Sequence, residues 1–158
     1  MEKKQQIFEE AGKLLENNNL TIETCDDNRP WGGFFVIHEN SAEAFIDIFF
    51  ADLDKSSIIK GKISPKILLV APQKKLSWQY HFRRSEIWKL IKGEAAIVTS
   101  PTDTEGEQKS MVLHETIYIS KGERHRLIGL HDWGFVAEIW MHTDADNPSD
   151  EDDIVRLN

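Results

Sequence analysis

Only one cysteine, Cys25, occurs among the 158 residues. An internal disulfide is therefore impossible and a thiolate metal cage is excluded; the usage fits a reducing compartment, and a cytoplasmic location is expected. No stretch has the long apolar run of a signal peptide or a membrane span, so no membrane partner is expected. Positive charge is the scarcer sign. Nineteen Lys and Arg against 27 Asp and Glu leave a formal net charge of −8, which argues against a nucleic-acid partner that needs a basic face. Much of the acidic excess is local, in Asp144, Asp146, Asp150, Glu151, Asp152 and Asp153. Elsewhere the charges nearly balance, so a phosphorylated substrate stays open. Internal repeats and low-complexity segments are also missing.

What is there suits one domain with a sizeable core. Residues 3–17 read as an amphipathic helix: Ile7, Ala11, Leu14 and Leu15 form one apolar stripe, and Asn17-Asn18-Asn19 ends it. The stripe packs either on its own domain or against a second copy. From Thr21 onward short β-prone runs alternate with turn residues. Strands are expected at Phe34–His38, Ala44–Phe50, Lys66–Val70, around Gln79 and His81, at Ala95–Val98 paired with Met111–His114, at Glu115–Ser120 and at Gly134–His142. Turns are expected at Asp26–Gly33, Ser64-Pro65, Pro72–Lys75 and the Thr102–Gln108 loop. The expected fold is all-β: a helix in residues 1–20, then one small antiparallel barrel over residues 21–158 with an acidic C-terminal segment. The mouth of such a barrel is a natural ligand cavity.

The chemistry concentrates in Leu76–Gly93. Gln79 and His81 are two residues apart, so an extended chain points both to one side. Glu86 follows a charged turn, Phe82–Ser85, and His125 follows a second glycine turn at Gly122. Gln, His, Glu and His make an N/O donor set suited to a divalent transition metal. Singly, each is an ordinary polar residue of a half-exposed strand; the case lies in the four together. His38, His114, His131 and His142 lack a matching pattern and read as surface or core histidines.

Several pieces occur in one order over about residues 27–157. They are Arg29-Pro30-Trp31-Gly32, Leu76-Ser77 with Gln79-x-His81 and Glu86, Gly122-x-x-His125-Arg126-Leu127, and Glu151-Asp152-Asp153-Ile154-Val155-Arg156. On these the chain resembles a cupin (a double-stranded β-helix, or jelly roll). More narrowly, it resembles the type II mannose-6-phosphate isomerase domain at the C-terminus of bifunctional mannose-1-phosphate guanylyltransferases. Phe82 and Arg83 depart from it, standing where that family often has further histidines. The glycine-rich nucleotide loop of the transferase domain is not seen, so guanylyl transfer is not inferred from the resemblance. The resemblance implies Gln79, His81, Glu86 and His125 as metal ligands, with zinc the family expectation and iron, manganese, cobalt or nickel compatible with the donors.

It also implies interconversion of mannose 6-phosphate and fructose 6-phosphate through an enediol, feeding activated-mannose or polysaccharide synthesis. Such chemistry needs a base and a cationic phosphate clamp. Arg83, Arg84, Lys75, Lys66 and Arg156 are the clamp candidates, with a solvated turn the alternative for Arg83 and Arg84. Lys66 shares strand parity with Leu68 and Val70, and Glu138 with Val136 and Trp140. Both are inward-facing candidates for proton transfer, Glu138 otherwise being a rim carboxylate. Trp88 shares parity with Glu86 and either stacks on a sugar or packs in the core. Trp31 is expected to plug one end of the barrel, and Arg126 to point outside the cavity toward the acidic tail. Two other readings stay open: a different metal-cupin enzyme (another sugar-phosphate isomerase or epimerase, or a dioxygenase), and a non-catalytic sugar-binding cupin. A homodimer is expected from class, through exposed sheet edges.

Overall fold

The computed structural model describes residues 4–59 and 61–158. Helix α1 (Lys4–Asn17) comes first, followed by strands β1 (Ile22–Arg29) and β2 (Gly32–Ile37), and then by helices α2 (Ala42–Phe49) and α3 (Lys55–Ile58). The rest is β: β3 (Lys66–Val70), β4 (Gln79–Tyr80), β5 (Arg84–Ser100), β6 (Lys109–Ser110), β7 (Thr116–Ile119), β8 (Arg124–His142) and β9 (Val155–Arg156). The expected helix start at residue 3 lies outside the described residues. No helix among the described residues is long and apolar enough to cross a membrane.

All strand pairs are antiparallel, and the two longest strands organise the sheet. The first half of β5 pairs with the second half of β8, which also pairs with β3, and β2 and β1 follow. The second half of β5 pairs with the first half of β8, which meets β4 where Gln79 lies opposite His125. Between these halves the ladder is irregular around the Gly93–Gly134 pair. Gly93 has φ +77°, and a Cβ there would fall 1.9 Å from the Trp133 carbonyl oxygen. Only glycine fits that bend, and the bend folds the sheet back over its own interior.

Strand parity sorts the core into two layers. Leu68 and Val70, Trp88 and Leu90, and Val136 belong to an inner cluster. Their alternates Ile67 and Leu69, Ile87, and Phe135, Ala137 and Ile139 belong to an outer one, which α1 covers with Ile7, Phe8, Ala11 and Leu15. Burial on both faces explains why Lys66–Val70 and Gly134–Trp140 read as nearly unbroken apolar runs. The α1 stripe therefore packs on its own sheet.

The expected strand at Ala44–Phe50 is helical instead. Ala42, Phe45, Ile46 and Phe49 are its buried residues, a 3–4 spacing that forms one helical face, and they join the outer cluster. The β-propensity of Phe and Ile hid that period. Other boundaries shift. Most of the expected Asp26–Gly33 turn is strand, leaving a tight turn at Pro30-Trp31. The Ala95–Val98 ladder runs through Lys109–Ser110, with the Met111 N–H still donating to the Ala95 carbonyl at 2.9 Å, and the chain turns away before His114 (φ +67°). Gly93 lies within β5 and bends it.

Candidate metal centre

The β4–β5 turn and the start of β8 bring His81, Glu86 and His125 together. One donor atom from each lies within 4.8 Å of the others. His81 Nε2 is 3.3 Å from Glu86 Oε2, and His125 Nε2 is 3.5 Å from Glu86 Oε1. All three side chains are buried. The opposite ring nitrogens are anchored: His81 Nδ1 lies 2.7 Å from the Asp153 carbonyl oxygen, and His125 Nδ1 lies 3.0 Å from that of Glu123. A carbonyl only accepts, so each Nδ1 carries the proton and each Nε2 turns a lone pair toward Glu86.

Among the described residues His125 Nε2 has no hydrogen-bond partner although it is fully buried. An orphaned imidazole lone pair beside a buried carboxylate is what a bound cation satisfies, so these residues fit a divalent metal. Burial pushes the His81 imidazole down to about 4, an effect that the Glu86 charge opposes and Arg84 and His125 reinforce. His81 is therefore neutral at neutral pH, as a ligand must be. Burial alone would raise Glu86, and the Arg84 guanidinium, donating to its Oε2 at 2.8 Å, opposes that and favours the carboxylate. Gln79 is next to His125 across the ladder, and its Oε1 accepts the Ser77 hydroxyl at 2.7 Å. A carboxamide oxygen has a second lone pair, so that bond leaves one free for a cation.

The centre opens into a hollow of about 260 Å³ whose wall includes Gln79, Arg84, Glu86, Trp88, Lys66 and Glu138. Arg84 is committed inside it. Its Nε donates to Glu86 Oε2 at 2.8 Å, its Nη1 to Ser149 Oγ and the Asp150 carbonyl at 3.0 Å, and its Nη2 lies 3.3 Å from His81 Nε2. The guanidinium also sits 3.6 Å from the Trp140 ring centre. Trp88 donates from its indole N–H to Glu86 Oε1 at 3.2 Å and meets the His125 ring edge-on. Its placement supports two of the presumptive ligands while still lining the hollow.

Lys66 and Glu138 both face inward, buried and opposite one another on β3 and β8. Burial is the main cause that pushes the Glu138 carboxyl up to about 8. The Glu86 charge and a hydrogen bond with Glu86 add to it, while Lys66 and Arg84 pull the other way.

The remaining sequence candidates are scattered. Arg156, on β9 opposite Gln79, lines the hollow and makes no ion pair with any described residue. Arg83 turns to the C-terminal segment, donating to Asn147 Oδ1 at 2.8 Å and lying 3.3 Å from Asp150. Lys75 is exposed and off the cavity wall. Arg126 pairs with Glu105 and the Asn158 side chain, not with the acidic run at 144–153. Trp31 stacks on Phe34 at the cavity wall.

The sequence reading left out three contributors. Arg29 reaches the same wall. The carboxylate of Asp153 receives the N–H groups of Phe82 and Arg83, each at 2.9 Å, and the Ser149 hydroxyl at 2.6 Å. Glu151 meets Lys66. All three lie in the motifs quoted above, which was the available signal.

A model of the mannose-6-phosphate isomerase C-terminal family matches residues 49–158. The chain is 31% identical over 102 residues to a mannose-1-phosphate guanylyltransferase of Sinorhizobium fredii, covering 63% of this chain and 14% of that protein. Among solved structures, the capsular polysaccharide assembling protein CapF of Staphylococcus aureus superposes with a TM-score of 0.54 at 15% identity, covering 88% of this chain and 34% of that one. A cupin 2 conserved barrel domain protein of Salinispora arenicola gives 0.46 at 20% identity, over 56% and 68% of the two chains. The chain shares its fold with CapF over 88% of its length, and it belongs to the mannose-6-phosphate isomerase C-terminal family.

Proposed function

We propose that the protein is a metal-dependent sugar-phosphate isomerase that interconverts mannose 6-phosphate and fructose 6-phosphate. The observation that carries this reading is the convergence of two Nδ1-anchored imidazoles and a buried carboxylate beside a hollow walled by Arg29, Lys66, Arg84 and Arg156 together with Glu86, Glu138 and Glu151. Family membership and the guanylyltransferase relative favour a mannose phosphate over other sugars. In this reading His81, Glu86 and His125 hold the ion, zinc first among the candidates, with Gln79 the fourth donor. A bound divalent cation would act as a Lewis acid on the sugar's carbonyl and hydroxyl oxygens.

The chain's own residues do the rest. The carboxylate form of Glu138, the minor form at neutral pH because burial raises the group to about 8, accepts the proton from C2 of the aldose and returns it to C1 of the enediol, while the hydroxyl proton passes from O2 to O1. Lys66 stands across from Glu138 as a buried cation on the hollow's wall, available to the substrate's phosphate. Arg156 and Arg29 supply exposed cations at the wall, Arg29 also pairing with Asp26 at 2.9 Å. Buried Trp88 and Trp140 keep water from the reacting carbons.

Purified protein loaded with zinc and given mannose 6-phosphate should form fructose 6-phosphate, read by a coupled reductase assay. His125→Ala should lose both bound metal and turnover. A second reading, a sugar-phosphate binder without turnover, is favoured by one observation: Arg84 already satisfies Glu86 with an internal cation. Tight binding by metal-loaded protein with no ketose formed would select it and discard the isomerase.

A further inference from the structure

Lys66 lies in the middle of the sheet, paired with Val36 on one side and Glu138 on the other. Its side chain is only 8% exposed, and its Nζ lies 4.3 Å from the Trp140 ring centre. The Nζ donates to Glu151 Oε1 at 2.6 Å, and the Glu151 side chain is 73% exposed. The pair is therefore lopsided. The cation is built into the framework, whereas the carboxylate arrives from outside on a surface turn.

The backbone on either side of Glu151 is pinned. Arg84 donates to the Asp150 carbonyl at 3.0 Å, and the Asp153 carboxylate takes the Phe82 and Arg83 N–H groups. Rotation of the Glu151 side chain alone removes it from Lys66. The contact also stands between two hollows of about 260 and 270 Å³, since Lys66 and Glu151 line both. Losing the carboxylate strips a buried ammonium of its exposed counter-ion, which is costly unless another anion replaces it.

We propose that Lys66 is an anion subsite which the chain fills with its own Glu151 carboxylate, and that the phosphoryl group of a phosphomonoester ligand displaces it. Such a group brings close to two negative charges and three acceptor oxygens, against one charge and two oxygens for Glu151. Displacement also joins the two hollows into one cleft. Glu151 is thus an internal competitor that keeps the site closed to neutral sugars. The choice of a phosphomonoester rests on the sugar-phosphate reading above, whereas the subsite rests on the Lys66–Glu151 contact itself.

The test is calorimetric titration of the metal-loaded full chain with inorganic phosphate. Glu151 is on the surface, so Glu151→Gln leaves the fold intact, and it should bind phosphate about fivefold more tightly because the closed state no longer competes. Adding Lys66→Met to that variant should abolish the gain. Unchanged or weaker binding by Glu151→Gln overturns the proposal, as does a gain that survives the loss of Lys66. Tighter phosphate binding without mannose 6-phosphate turnover would sink the isomerase alone; turnover with no gain in Glu151→Gln would sink the subsite alone.

Discussion

Asp153 ties the C-terminal segment to the metal centre, and its truncation tests how that centre is oriented. Its side chain is 2% exposed and accepts three hydrogen bonds, from Phe82 N–H, Arg83 N–H and the Ser149 hydroxyl. Its main-chain carbonyl holds His81 Nδ1. Asp153→Ala leaves two backbone donors beside a metal ligand without their acceptor. Hydrogen bonds to a charged group contribute about 1.5–3 kcal/mol each, and water reaches part of this site, so the expected loss is about 3 kcal/mol. A domain of ordinary stability, roughly 5–15 kcal/mol, survives that loss, so the variant stays folded. Asp153→Asn keeps the shape and one good acceptor, and should lose about half as much. The second effect is on the metal. With the segment released, the His81 ring loses the carbonyl that fixes its tautomer, and affinity should fall roughly ten- to hundredfold. Urea unfolding reads the first effect, and competition with a chelator of known affinity reads the second. A destabilised Asp153→Ala protein with undiminished metal affinity would refute the link between the segment and His81. Unchanged stability would refute the clip itself.

Two further outcomes follow from the same geometry. Asp52 is held below the usual carboxylate range, chiefly by the Lys89 hydrogen bond and also by the Thr116 hydroxyl, against a smaller opposing effect of burial. A depressed folded-state value means that its stabilisation is complete above the unfolded value, about 3.9, and is lost as pH falls through the folded one. Asp52→Asn should therefore flatten the acid limb of a melting-temperature profile below about pH 4, modestly because the carboxylate is half exposed; an unchanged acid limb counts against the pair. Gly93→Ala places a methyl 1.9 Å from the Trp133 carbonyl at φ +77°, and should cost about 3 kcal/mol or more in urea unfolding. A loss below 1 kcal/mol, roughly the cost of strained φ alone, would show that the bend in β5 relaxes without glycine.

Much of the site was legible because strands impose a period of two. Once Lys66–Val70 and Gly134–His142 read as strands, the inward direction of Lys66 and Glu138 followed from Leu68, Val70, Val136 and Trp140. The pairing of Gln79 with His125 was not readable that way, because register between distant strands depends on the whole sheet. The phosphate-clamp candidates show the same limit. Arg84 and Arg83 are neighbours in sequence, yet one is locked against Glu86 and the other against Asn147. The α2 segment failed for a different reason. Its residues favour strands, and only packing against the outer face of the sheet selects the helical period they also carry.

The sequence by itself determined the β-rich class, the N-terminal helix, the single cysteine that rules out an internal disulfide, and the donor types available to a metal. Each of these depends on composition or on neighbours a few residues apart. Tertiary structure decided which donors meet, which ring nitrogens are anchored, and that Glu151 meets Lys66. Most of these contacts join residues tens of positions apart, where local preference carries no information and only the folded sheet fixes distance.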